Sequence, residues 1–187
     1  PDGSRLALTL SQDGLAQLYT LPAAGGTPTR LTSSSGIDTE PVFAPDGRSI
    51  YFVSDRGGGP QIYRVAVGGG NAERITFGGA YNISPAISPD GKLLAYITRQ
   101  GNAFKLMTQD LETGTVRGLS DTVDDESPSF APNGRLLVYA TRDELAGWAA
   151  EQGTRLAPVA QVELSHQPEL AALGCVDDRT FFRLLGC

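Results

Sequence analysis

One tripeptide, returning at a fixed interval, limits what this 187-residue chain can become. Pro-Asp-Gly stands at Pro1-Asp2-Gly3, Pro45-Asp46-Gly47 and Pro89-Asp90-Gly91, with Pro132-Asn133-Gly134 as a variant, so the steps are 44, 44 and 43 residues. Other columns keep the same beat. Pro41, Pro85 and Pro128 each stand four residues ahead of a turn, with Phe43, Ile87 or Phe130 between the two prolines. Leu31, Ile75 and Leu119 form another column, followed in turn by Thr32, Thr76 and Ser120, and Tyr19, Tyr63 and Met107 form a third. A period of roughly 20–50 residues marks a chain built by stacking one supersecondary unit on the next.

The content of a unit follows from its second copy. Val42-Phe43, Ile50-Tyr51-Phe52-Val53, Ile62-Tyr63-Arg64-Val65-Ala66-Val67 and Arg74-Ile75-Thr76 are short, β-branched or aromatic runs separated by Gly or Pro. They read as four strands. The 23 Gly and 12 Pro are the punctuation between such runs. Within Pro-Asp-Gly the mechanism is local: Pro presets φ, Asp accepts from its own backbone, and Gly takes the positive φ that closes a hairpin. Four antiparallel strands in about 44 residues describe a β-propeller blade, whose sheets hide their edges by arrangement around an axis. Helical repeats would need 3.6-residue apolar stripes, which these runs lack.

The expected fold is therefore all-β, a partial β-propeller of three to four blades over residues 1–142. The chain opens without Met and inside a motif, so an N-terminal part is expected to be missing, and a propeller typically closes with about 4–8 blades. From Asp143 to Cys187 the pattern lapses, and no strand pair of the repeat type is read there. This atypical tail holds Trp148, His166, Cys175 and Cys187. Two short helices, Glu144–Ala150 and Gln167–Leu173, are its candidate elements. An interrupted repeat, from a shifted reading frame or a truncated gene, and a genuine tail domain stand as alternatives.

Several function classes find no footing. Fifteen basic against 21 acidic residues give a net charge of −6, which argues against phosphate neutralisation and hence a nucleic-acid partner. No run approaches the roughly 18 apolar residues of a membrane span. Nucleophilic catalysis needs a base and an orienting acid. The one His is His166, in the tail, and no Gly-x-Ser-x-Gly elbow occurs. Asp121, Asp124, Asp125 and Glu126 lack the alternating spacing of a calcium loop and read as a solvated acidic loop. No cofactor or metal is expected. Asp55-Arg56 and Arg142-Asp143 recur after the second strand of two blades, with Arg99 at the matching place in a third, and read as salt-linked loop residues.

The run Ser88-Pro89-Asp90-Gly91-Lys92-Leu93-Leu94-Ala95-Tyr96, and more specifically Asp125-Glu126-Ser127-Pro128-Ser129-Phe130-Ala131-Pro132-Asn133-Gly134, resembles the TolB family over about residues 1–142. Ser54-Asp55-Arg56-Gly57 and Arg74-Ile75-Thr76-Phe77 match the preceding blade of that family. The resemblance implies a six-bladed, non-catalytic propeller in the periplasm of Gram-negative bacteria, working in the Tol–Pal system for outer-membrane integrity and cell division. Its implied partners are the lipoprotein Pal, docked by the propeller, and TolA, met by an N-terminal segment that this chain lacks. An oxidising periplasm would allow a Cys175–Cys187 disulfide. The alternative is the propeller cap of a prolyl-oligopeptidase-like serine peptidase, followed by an α/β-hydrolase domain.

In a blade, the loops that lead into the innermost strand lie at the opposite end from the Pro-Asp-Gly turns. They are Gly36–Glu40, Tyr81–Ser84 and Val123–Ser127, and they vary while the turns repeat, as working loops on a scaffold do. The family resemblance places the Pal-facing role on Thr39, Glu40, Asn82, Ser84, Asp125 and Glu126. The bland reading is that these residues bond their own backbone at the start of a strand.

Overall fold

The structure is a computed structural model that describes residues 1–11, 14–120, 122 and 124–141, and the backbone of 12 and 159–163. Its turns form as the sequence predicts. Gly47 takes φ of +68° and donates its N–H to the Ala44 carbonyl at 2.9 Å, while Asp46 Oδ1 accepts the Arg48 N–H at 2.9 Å. Asp90 accepts from Lys92 and Asn133 from Arg135 in the same way, each at 3.0 Å. At such a φ any Cβ is strained, so glycine ends the turn.

Strands β1 (Arg5–Gln12), β2 (Leu15–Pro22) and β3 (Thr29–Arg30) make the first sheet. The second holds β4 (Asp38–Phe43), β5 (Ser49–Ser54), β6 (Gln61–Ala66) and β7 (Glu73–Arg74). The third holds β8 (Asn82–Ile87), β9 (Leu93–Gln100), β10 (Ala103–Asp110) and β11 (Val116–Gly118). The fourth holds β12 (Glu126–Phe130), β13 (Leu136–Ala140) and β14 (Val159–Glu163). Each sheet is an antiparallel meander, and the described residues contain no helix.

Side chains alternate across each middle strand, and both faces are covered. Ile50 and Phe52 of β5 pack with Leu18 and Leu31 of the first unit, whereas Tyr51 packs with Leu94 and Tyr96 of the third. Ala95 and Ile97 of β9 turn the other way, onto Leu137 and Tyr139 of the fourth. Apolar clusters thus lie between successive sheets, and that is why the middle strands read as unbroken apolar runs instead of alternating ones. This is the radial stacking of propeller blades.

The outer sheets depart from the four-strand expectation. The 44-residue period aligns β1, β2 and β3 with β5, β6 and β7, so the counterpart of β4 falls before Pro1. In the fourth sheet, β14 pairs with β13 from Leu136↔Glu163 to Ala140↔Val159. It falls in the stretch where the sequence reading finds no repeat-type strand. The 43-residue step places a third strand near 148–153, and β14 comes about eleven residues later, out of register with the columns that reveal the others. The two candidate helices, Trp148, His166 and both cysteines lie outside the described residues.

Candidate docking face

Each innermost strand carries the same irregularity. In β4, Thr39 pairs with Val53 and Val42 with Tyr51, so Glu40 and Pro41 together face Phe52. In β8 the pairs are Ile83↔Ile97 and Ala86↔Ala95, and in β12 they are Glu126↔Ala140 and Ser129↔Val138. The residue before proline is left-handed every time, with φ of +52° at Glu40, +54° at Ser84 and +54° at Ser127. A bulge leaves an extra residue outside the ladder, and proline suits that place because it has no N–H to orphan. The strained backbone, of order 1–3 kcal/mol per residue, persists because sheets on both sides hold it. At the first of these bulges the strain is used: Glu40 reaches 44 residues along and its carboxylate accepts the Ser84 N–H at 2.7 Å. One blade is thereby tied to the next near the axis.

Two residues before each bulge is a buried column, Asp38, Asn82 and Asp125, with relative exposures of 0, 0 and 1%. Asp38 takes both contacts from the Arg56 guanidinium at 2.7 and 2.8 Å and also accepts from the Ser34 hydroxyl. The guanidinium itself lies 5.2 Å from the Phe52 ring centre and 5.1 Å from that of Tyr63. Asn82 donates to Gln61 Oε1 at 2.8 Å and to the Gly78 carbonyl at 2.7 Å, while its Oδ1 is buried without a partner. Asp125 accepts from the Leu106 N–H and from the hydroxyls of Ser120 and Thr122. Asn82 N–H also donates to Pro60 O, and Asp125 N–H to Phe104 O, so each loop is fastened to the hairpin of the middle strands at the same end of its sheet.

A third column closes the blades from outside. The hydroxyls of Thr32, Thr76 and Ser120 accept the N–H of Leu18, Ile62 and Leu106 at 3.0, 2.9 and 3.3 Å. Those donors belong to the third-strand position of their units, so the recurring Thr or Ser ties a loop to the sheet it follows.

The six residues singled out by sequence therefore divide. Asn82 and Asp125 are buried and bonded within the fold, although Asp125 also borders a cavity between the third and fourth sheets. The family resemblance singled them out by position, and position in a sequence does not tell inside from outside. Glu40 and Glu126 are exposed, and Thr39 and Ser84 are half-buried beside them. The expectation that Asp55-Arg56 is salt-linked holds for Arg56. Asp55 instead accepts the Ile37 N–H at 2.7 Å. Arg99 donates to the Gly101 carbonyl, and Arg142, Asp143, Asp121 and Val123 lie outside the described residues.

The sequence reading missed Ile37 and Phe77, which are 46 and 74% exposed in the loops leading into β4 and β8. The Arg74 guanidinium sits 5.3 Å from the Phe77 ring centre. Neither residue belongs to a repeating column, and that departure is the signal that could have drawn attention to them. Between the third and fourth sheets lies a cavity of about 230 Å³, with Ile83, Ile97 and Phe104 as its apolar walls and Ser84 and residues 124–126 beside them. Among the described residues, no group of three His, Cys, Asp or Glu side chains could hold a metal ion, and no helix is long and apolar enough to cross a membrane.

Comparison with known proteins agrees with this geometry. A family model described as the TolB β-propeller domain (PD40) matches residues 1–153. The crystal structure of TolB from Acinetobacter baumannii is similar at 45% identity and a TM-score of 0.70, over 76% of this chain and 36% of that one. A putative TolB from Agrobacterium tumefaciens is 29% identical with a TM-score of 0.66, over 72% of this chain and 53% of that one. A curated TolB homologue from Chlorobium chlorochromatii is 56% identical over 41 residues, 22% of this chain and 9% of that protein. The chain thus spans about a third to a half of the solved relatives it matches.

Proposed function

This chain belongs to the TolB β-propeller family, and from that premise we propose that it is a non-catalytic docking module of the periplasmic Tol–Pal system. Its partner in this reading is Pal, bound at the end of the blades where the inner-strand loops meet, in support of outer-membrane integrity and cell division. TolA would be met by a segment N-terminal to Pro1. The observation that carries the reading is the division of labour between the two ends of each blade. At one end Pro-Asp-Gly turns repeat almost unchanged. At the other, three rigid bulges hold non-repeating loops whose exposed groups include Glu40, Glu126, Ile37 and Phe77. Apolar knobs with a polar surround are the usual makings of a protein contact, and loops fixed by buried columns would meet a partner with little ordering cost. The 45% identity to a TolB favours docking over the peptidase-cap alternative.

The test is calorimetry of the full chain with the soluble domain of Pal. Exchanging Glu126, whose side chain makes no bond among the described residues, for Lys should weaken binding about tenfold or more while leaving the melting temperature within a few degrees, since like-charge juxtaposition at an interface costs several kcal/mol. Unchanged affinity would remove the loop end from the interface.

A further inference from the structure

We propose that the cavity between the third and fourth blades is a receiving pocket for one arginine side chain of the docking partner. The inference rests on the docking function given above and names the chemistry of one subsite within it. Its argument begins with the repeat, because the fold contains its own template. Asp38 and Asp125 are the same position in two blades, both carboxylates almost wholly removed from water. Burying an ion without a counter-charge is costly unless something compensates. At Asp38 the compensation is internal: Arg56 lays its guanidinium on the carboxylate and over the rings of Phe52 and Tyr63, on the face turned toward the first blade. At Asp125, among the described residues, the partners are two hydroxyls and an amide N–H, with no cation on the carboxylate.

The cavity lies on the corresponding face of Asp125, the one turned toward the preceding blade. Ile83, Ile97 and Phe104 wall it, Asp125 borders it, and the exposed Glu126 stands at its mouth. The ammonium of Lys105 nearby donates to the Thr122 carbonyl. Apolar walls suit the methylene stem of a long basic side chain, and carboxylates suit its head. An aromatic wall favours a guanidinium over an ammonium, because the planar fork can stack and pair at once. A volume of about 230 Å³ accommodates one such side chain and little more. The left-handed turns at Asp124 and Ser84, with φ of +57° and +54°, keep the two sides of the mouth in place.

The experiment uses the full chain and the soluble domain of Pal, with calorimetry at low and moderate salt. Glu126→Gln, which leaves the fold's internal bonds intact, should weaken binding about tenfold and flatten its salt dependence. Ile83→Phe fills the cavity and should weaken binding without altering the salt dependence by as much. Blocking the arginines of Pal with phenylglyoxal should abolish the difference between wild type and Glu126→Gln, whereas acetylating its lysines should not. A circular-dichroism melt checks each variant. If Pal does not bind the wild-type chain at all, the docking function itself fails. If Pal binds, and Glu126→Gln and Ile83→Phe both bind like wild type, docking stands and the pocket assignment is overturned. Loss of the Glu126 effect on lysine acetylation, instead of arginine blocking, also overturns the guanidinium. An Arg142→Gln variant, if it alone opens the pocket to binding by free N-acetylarginine amide, identifies the occupant as internal and contradicts a partner's side chain.

Discussion

Replacing Arg56 by Gln tests the buried column more severely than any surface change. Asp38 has no exposure of its own, and the guanidinium that pairs with it retains 22%. Removing one member of a buried pair costs about 3–5 kcal/mol, because the remaining charge is stranded. Water can reach the vacated space through the exposed side, and Ser34 still donates to the carboxylate, so the lower end of that range, about 3 kcal/mol, is expected. The two ring contacts contribute about 0.5–1 kcal/mol of it. The third blade shows how the column survives without charge: 44 residues on from Asp38 stands Asn82, held by Gln61 and the Gly78 carbonyl with no arginine. The double variant Asp38→Asn with Arg56→Gln should accordingly lose only about 1 kcal/mol, a coupling of at least about 2 kcal/mol between the sites when Asp38→Asn alone is not stabilising. With a urea slope of about 2 kcal/mol/M, the single change moves the unfolding midpoint by about 1.5 M and the double by about 0.5 M. A midpoint for Arg56→Gln within 0.3 M of wild type, in about the units of that slope, would refute the reasoning. So would a double variant as unstable as the sum of the singles.

Three further outcomes follow from the same geometry. Phe52 is wholly buried between the first two blades, and Phe52→Ala should cost about 3–5 kcal/mol in denaturant unfolding. Gly47→Ala forces a Cβ into φ of +68° and should cost about 1 kcal/mol, read as a lower melting temperature. The Ser88 hydroxyl and then the Lys92 N–H hold the Asp90 carboxyl below its ordinary range. A depressed folded-state value means that this stabilisation is complete above the unfolded value of about 3.9 and is lost as pH falls through the folded one. Asp90→Asn keeps the accepting oxygen, as Asn133 does naturally, so stability at pH 7 should hardly change while the decline below about pH 4 becomes shallower. Acid unfolding curves of the two proteins would show it.

What could be read in the sequence was whatever chemistry is local or periodic. Pro45-Asp46-Gly47 specifies its turn within four residues, and the apolar run Ile50–Val53 announces a strand covered on both sides. The column Thr32/Thr76/Ser120 was visible as spacing and the column Asp38/Asn82/Asp125 emerged only from the structure, because burial depends on hydrogen bonds that span 14 to 21 residues. Asn82 and Asp125 were accordingly placed on the docking face by sequence and found inside by structure. Glu40 holding Ser84 across 44 residues could not be inferred from either segment alone, because the carboxylate and the amide meet only after both strands bulge. Strand β14 escaped because 18 residues separate it from β13, whereas two separate β9 from β10. A late strand in a regular repeat has no column to announce it.

The most direct measurement is hydrogen exchange of the full chain with and without the soluble domain of Pal. Slowed exchange at 36–40, 81–84 and 124–127, with the turns at 45–48, 89–92 and 132–135 unaffected, is the predicted pattern. Protection concentrated at those turns, with the bulged loops unchanged, would contradict the account.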